Sequence, residues 1–159
     1  MSNQLMLKMV LNSWHSVIKR ADKMFDSISD EDMIKEVVPN RNRAIYLLGH
    51  LTAVHDMMLP LLNMGEAQFP ELHSGFIRTP DDADNDKFTV HALRKYWKDA
   101  NANLAIKFDS LSPEAWFEKH SSVSEEDFSK EPHRNRLNVI ISRTNHVSYH
   151  LGQLAFFKK

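Results

Sequence analysis

Hydrophobic side chains recur every three or four residues along four stretches of the chain, which is the spacing of an amphipathic helix. We predict long helices over residues 4–27, 41–64, 89–111 and 135–157. Four helices that each carry one apolar face bury those faces most simply against one another. The predicted fold class is therefore all-α: a four-helix bundle with long crossover connections and short extra helices, in a single domain over residues 1–159.

Particular residues of the first and last helices are expected to face the core. In the first helix these are Leu5, Met9, Trp14, Val17, Ile18, Ala21, Met24, Phe25 and Ile28. In the last helix they are Leu137, Ile140, Ile141, Thr144, Val147, Leu151 and Leu154. Thr89 is predicted to cap the third helix, and Ser29, Ser112 and Ser124 are predicted to start short helices, because each precedes acidic residues or proline.

Two features interrupt the second helix and the connection after it. Pro60 has no N–H and crowds the carbonyl of Asp56, so we predict a kink or an early end of the helix there. Residues 65–87 show no helical period and are predicted to form a long crossover loop. That loop carries an acidic cluster of Asp81, Asp82, Asp84 and Asp86.

Composition excludes several classes of function. Twenty basic and twenty-one acidic residues give a net charge of -1, which disfavours binding to a phosphate backbone. The absence of cysteine excludes disulfides, a thiolate nucleophile and cysteine-ligated zinc. No apolar run approaches the roughly 20 residues that span a bilayer, so we expect a cytoplasmic protein that binds neither nucleic acid nor membrane. The motifs of nucleotide-binding loops, serine esterases, zinc proteases and di-iron bundles do not occur.

Nine histidines are the chemically informative feature of the chain. His146 and His150 are four residues apart, so they project from one helical face where both rings can hold one ion. The stripe that contains these two histidines also includes Val139, Arg143, Gln153 and Phe157. It is polar in the middle and apolar at its ends. Such a stripe is typical of a polar pocket between helices, although a solvated face would carry similar polar residues.

His50 is a lone imidazole on an otherwise apolar stripe of the second helix. A hydrogen-bonded core histidine is the ordinary interpretation of such a residue. Together with the pair on the last helix, it would give three neutral imidazoles at one interior point, the ligand set of an open metal site. His55 points about 140° away from His50 around the helix, which makes it a poorer ligand, and Asp56 is a candidate for orienting a neighbouring ring.

Two segments resemble a known family. The sequences LGHLTAVHD at 48–56 and NHVSYHLGQL at 145–154 resemble the signature helices of the DinB/YfiT-like superfamily. In that family, one histidine of the second bundle helix and a His-x-x-x-His pair followed by Gly-Gln bind a divalent metal ion. The resemblance therefore implies a metal site formed by His50, His146 and His150. We expect Zn or Ni as the ion, with Fe as the alternative. Some members resemble S-transferases or isomerases that use a low-molecular-weight thiol such as bacillithiol or mycothiol.

Three hypotheses for the function follow. The first is a metal-dependent thiol S-transferase acting on a small molecule, in which Asp56, Arg143 and Gln153 orient a metal ligand or the substrate. The second is a non-catalytic bundle whose metal serves folding or ligand sensing. The third is an interaction module that dimerises through an exposed helix face without metal. Each of the three hypotheses is compatible with a homodimer.

Overall fold

The computed structural model describes residues 2–82, 85 and 87–157, without the side chain of Ser2. The helices are α1 (Ser2–Ser27), α2 (Asp30–Met33), α3 (Ala44–Asp56), α4 (Met58–Leu61), α5 (Leu72–Phe76), α6 (Val90–Asp109), α7 (Glu125–Lys130) and α8 (Arg136–Leu154). Short 3-10 turns occupy Ala115–Phe117 and Ala155–Phe157. The described residues contain isolated β-bridges but no strand. The predicted all-α class is confirmed.

Four long helices form the bundle, as predicted. α1 packs mainly against α8 and α3 mainly against α6, while a smaller contact joins α3 to α8. Their apolar faces share one core, whose largest fully buried side chains include Trp97, Trp116, Phe25 and Phe76. Within the described part of the chain, no helix is long and apolar enough to cross a membrane.

Side-chain caps fix where several helices begin. The predicted caps Ser29, Thr89 and Ser124 each accept a hydrogen bond from the backbone N–H three residues ahead, at 3.0–3.1 Å. Asn135 does the same for Asn138 at the start of α8, at 3.0 Å. The start of the helix that carries two of the candidate ligands is therefore fixed locally by the sequence.

The predicted interruption at Pro60 is also confirmed. α3 ends at Asp56, the chain turns at Met57, and α4 then adds one more helical turn. Pro60 has no N–H to donate to the carbonyl of Asp56, which is the bond that would continue the helix. The break leaves Asp56 at the end of α3, facing the connection that follows.

The connection over residues 65–87 differs from the prediction because it contains a helix, α5. Leu72 and Phe76, four residues apart, are both fully buried on one face of it. Five residues are too few to display a helical period in the sequence, so the burial of these two side chains decides the structure. Asp84 and Asp86 of the acidic cluster lie outside the described residues.

The connection after α5 is tied to the start of α3. Arg43 forms an ion pair with Asp81 at 2.7 Å, and its backbone N–H donates to the same carboxylate. The hydroxyl of Tyr46 donates to the carbonyl of Thr79 at 2.7 Å. These contacts hold α5 and the connection after it against the helix that carries His50.

Three residues expected in the core are exposed: Leu5 is 61% exposed, Met9 65% and Ile141 42%. At 100° per residue, Leu5 and Met9 lie on the side of α1 opposite the buried Trp14 and Ala21. The prediction from a spacing of three or four residues had therefore assigned residues of two different helix faces to one apolar face. Ile141 lies at the edge of the buried stripe of α8. These three predictions were wrong.

Candidate metal centre

Three histidine rings converge between α3 and α8. The Nε2 atom of His146 lies 3.2 Å from Nε2 of His50 and 2.9 Å from Nε2 of His150. One ligand atom from each ring can be chosen so that all three lie within 4.8 Å of one another. Nitrogens bound to one tetrahedral ion at the usual zinc distance are separated by about 3.3 Å, so this spacing fits a shared ion.

Two of the rings are oriented by an acceptor on their far side. Nδ1 of His50 lies 2.6 Å from the carbonyl oxygen of Phe76, and Nδ1 of His150 lies 2.7 Å from Oε1 of Gln153. Because both oxygens can only accept, each Nδ1 carries the proton and donates. The lone pair on each Nε2 therefore faces the common centre, as metal coordination requires.

The surroundings keep these rings neutral. Burial lowers the pKa of His50. The hydrogen bond to Phe76 raises this pKa, and the Arg143 guanidinium lowers it. Burial also lowers the pKa of His150, and it is the main reason why the pKa of His146 is lowered to about 4. Neutral imidazole is the form that binds a metal ion, so none of the three rings has to lose a positive charge before an ion binds near pH 7.

A glycine lets α5 approach closely enough to supply the carbonyl. Gly49 is buried, and a Cβ built there would lie 2.3 Å from the Phe76 ring. No side chain fits between α3 and this ring, so the residue beside His50 must be glycine. The sequence shows a glycine directly before His50, but the reason for it becomes clear only from the position of the Phe76 ring.

Comparison with known proteins supports the fold. No family model and no curated protein sequence matches the chain. The crystal structure of the mycothiol-dependent maleylpyruvate isomerase matches 93% of this chain with a TM-score of 0.65 and 14% sequence identity. The chain therefore shares the helical-bundle fold of that isomerase. The chain spans 60% of the length of that isomerase, so the similarity concerns the helical bundle and not the whole protein.

Asp56 occupies a different place in the bundle from the one expected. Its carboxylate accepts hydrogen bonds from the backbone N–H groups of Gln68 and Phe69, at 2.8 and 2.9 Å, and lies 3.6 Å from Nε2 of His73. Both oxygens are engaged with the connection between α4 and α5. Asp56 therefore holds that connection in place. The prediction that it orients a metal ligand was wrong.

Arg143 and Gln153 lie beside the histidine cluster. Gln153 contacts His150 as described, and its amide nitrogen donates to the hydroxyl of the exposed Tyr149 at 3.4 Å. Arg143 is half-buried one helical turn before His146, and burial lowers its pKa. Its Nε is buried and has no hydrogen-bond partner among the described residues. A positive charge therefore lies next to the site, where it would attract an anionic group.

His55 is the buried residue whose importance the sequence did not indicate. Its side chain is 0% exposed and lies between the rings of Trp14 and Trp97, at 5.0 and 4.9 Å. Its Nδ1 lies 2.9 Å from Oδ1 of Asn101. The pKa of His55 is lowered to about 3, chiefly by this burial, so the ring is neutral over the physiological range.

The low pKa of His55 predicts that the metal-free protein loses stability in mild acid. Between pH 6.5 and about 3, the His55 ring is protonated in the unfolded chain but stays neutral in the folded chain. The stability contributed by the neutral ring is complete above pH 6.5 and is lost as pH falls toward 3. From His55 alone we expect a loss on the order of 2–3 kcal/mol at pH 4.5 relative to pH 7 in urea unfolding with a chelator present, in addition to the loss from His146, whose pKa is also lowered.

The matched variant for this prediction is His55→Gln, which cannot titrate in this range. It should be less stable than the wild type at pH 7 but should lose less stability between pH 7 and 4.5. Equal slopes for the two proteins would show that His55 does not cause the acid sensitivity.

Proposed function

We propose that the protein is an enzyme that binds one divalent metal ion through His50, His146 and His150 and uses it in thiol chemistry on a small molecule. The observation that carries this proposal is the convergence of three neutral Nε2 atoms on one point. Three imidazoles leave a coordination position free for a further ligand. When bound, such an ion lowers the pKa of a coordinated thiol and keeps it as a thiolate nucleophile.

The residues of this chain would supply orientation and charge. The carbonyl of Phe76 and the amide of Gln153 hold the rings of His50 and His150 in the required tautomer. The Arg143 guanidinium would bind an anionic group of the thiol or of the acceptor substrate. In the proposed transfer, the sulfur forms a bond to an electrophilic carbon, the leaving group departs with the electron pair of the broken bond, and the thiol proton passes to solvent.

Zn, Ni and Fe all accept imidazole ligands, and the proposal includes each of these ions. The mycothiol dependence of the structural neighbour supports a low-molecular-weight thiol as co-substrate. The cytoplasmic location and the homodimer stay predictions.

The test is an activity screen of the metal-loaded protein, purified without a histidine tag. Bacillithiol, mycothiol and cysteine would each be supplied with a panel of electrophilic acceptors, and loss of free thiol would be followed. We expect turnover that needs both metal and thiol and that disappears with a chelator. Stoichiometric metal without turnover across the panel would instead indicate a non-catalytic metal-binding or sensing bundle.

Replacing Arg143 should separate substrate binding from metal binding. For Arg143→Ala we expect KM for a carboxylate-bearing substrate to rise about tenfold, with metal affinity nearly unchanged, because the guanidinium would contact the substrate anion and not the ion. Arg78→Ala, at an exposed position, removes the same charge and is the control. An equal effect on neutral and anionic substrates would contradict this role.

A further inference from the structure

Two contacts between ring nitrogens at the centre of the histidine cluster have hydrogen-bond lengths. Nε2 of His146 lies 2.9 Å from Nε2 of His150 and 3.2 Å from Nε2 of His50. A nitrogen–nitrogen contact this short requires a hydrogen between the two atoms, because two bare lone pairs repel each other. One ring of each pair must therefore donate.

His50 and His150 carry their hydrogens on the opposite side of the ring. A neutral imidazole has a single N–H, on either Nδ1 or Nε2. Nδ1 of His50 donates to the carbonyl of Phe76 at 2.6 Å. Nδ1 of His150 donates to Oε1 of Gln153 at 2.7 Å. The Nε2 atoms of both rings are therefore acceptors, so His146 is the donor and its hydrogen lies on Nε2.

The far nitrogen of His146 agrees with this assignment. Nδ1 of His146 is buried and has no hydrogen-bond partner among the described residues. A hydrogen placed there would be a buried donor without an acceptor, and three Nε2 lone pairs would then face one another. With its hydrogen on Nε2, the same ring contacts two acceptors in a three-centre hydrogen bond. The Nε2–H form of His146 is therefore favoured in the metal-free protein.

We propose that a single hydrogen on Nε2 of His146 occupies the centre of the metal-free cluster, shared by the Nε2 lone pairs of His50 and His150, and that metal binding moves it to Nδ1 of the same ring. In this change, the Nε2–H bond breaks as its proton passes to solvent, and a proton from solvent forms the Nδ1–H bond. The ring is neutral before and after, so no net proton is released near neutral pH.

This hydrogen gives the site a defined resting state. It holds the three rings close together without an ion, and it competes with an ion for the same lone pairs. A histidine that binds a metal through Nε2 almost always donates its Nδ1–H to an acceptor. Among the described residues, His50 and His150 have such an acceptor and His146 has none. The metal-free arrangement does not depend on the proposed function, whereas the displacement of the hydrogen rests on it.

The first test is ¹⁵N NMR of histidine-labelled, metal-free protein near neutral pH, which shows which nitrogen of each ring carries the hydrogen. We expect Nε2–H for His146 and Nδ1–H for His50 and His150. The signals of His146 are identified by their absence from His146→Gln. A metal-free wild type in which His146 carries its hydrogen on Nδ1 would overturn the inference.

Two substitutions of Gln153 test why the hydrogen lies on His146. The carboxylate in Gln153→Glu can only accept from Nδ1 of His150, so this variant should keep the wild-type arrangement. Gln153→Leu removes the acceptor, which lets His150 carry its hydrogen on Nε2 and donate to His146. In this variant we expect part of the Nε2–H population to pass from His146 to His150, while the total over the three rings stays at one.

Thermal unfolding establishes that both Gln153 variants are folded at the temperature of the NMR measurement. In either folded variant, an Nε2–H total of zero or two over the three rings would overturn the inference, because the centre would then not hold one shared hydrogen.

The second test is titration of the labelled wild type with Zn²⁺ alone. On saturation we expect His146 to change from Nε2–H to Nδ1–H while His50 and His150 keep Nδ1–H, so the Nε2–H total falls from one to zero. Bound Zn²⁺ with Nε2–H retained on His146 would overturn the proposed displacement. A wild type that has the expected metal-free arrangement but binds no Zn²⁺ would overturn the proposed function and the displacement, and would leave the shared hydrogen supported.

Discussion

Replacing His146 by alanine should lower the affinity for Zn²⁺ or Ni²⁺ by roughly a hundredfold or more, because this ring lies between the other two. Its Nε2 is 3.2 Å from that of His50 and 2.9 Å from that of His150, so its removal breaks both contacts. Wild-type protein should bind one ion per chain, measured by elemental analysis after dialysis and by chelator competition.

The control for this variant is His133→Ala, which removes an exposed histidine from a loop. It should bind metal like the wild type. Tight metal binding that survives His146→Ala and is lost in His133→Ala would place the ion on the surface and would contradict the proposed centre.

Replacing Gly49 by alanine should strongly destabilise the fold. The added methyl group would lie 2.3 Å from Cε1 and 2.5 Å from Cδ1 of the Phe76 ring, so α5 must move away from α3. We expect a loss of about 3 kcal/mol in the free energy of unfolding, measured in urea, because overpacking a rigid core costs about this much. Metal affinity should fall as well, since the Phe76 carbonyl orients His50.

Gly152→Ala is the matched control on α8. A Cβ at Gly152 meets nothing within 4 Å, and the position is exposed. Alanine there should therefore raise stability by about 0.5–1 kcal/mol through helix propensity alone. If both glycine variants were equally stable, α5 would not be packed against Gly49 as described.

The long helices could be predicted because their patterns extend over many residues. α6 and α8 follow periodic apolar stripes; α6 begins after the predicted cap Thr89, and α8 begins after Asn135, where that helix was predicted to start. The second stripe of α8 also proved informative: Val139 and His150 are buried, and Arg143 and His146 are half-buried. This burial argues against a solvated face for the stripe.

What could not be predicted depends on contacts between distant parts of the chain. The carbonyl that orients His50 comes from Phe76, twenty-six residues away on a helix too short to show a period. Asp56 lies on the same helix as His50, but its carboxylate accepts hydrogen bonds from the backbone N–H groups of Gln68 and Phe69. His55 was judged by its angle to His50, but its burial depends on Trp14 of α1 and Trp97 of α6, which the spacing within α3 does not show.

The most direct test of the account is anomalous diffraction from a crystal loaded with Zn²⁺, recorded on both sides of the metal absorption edge. We predict one peak per chain within bonding distance, about 2.0–2.1 Å, of Nε2 of His50, His146 and His150. A crystal in which these three rings surround no anomalous scatterer at saturating Zn²⁺, while other sites are occupied, would contradict the metal centre.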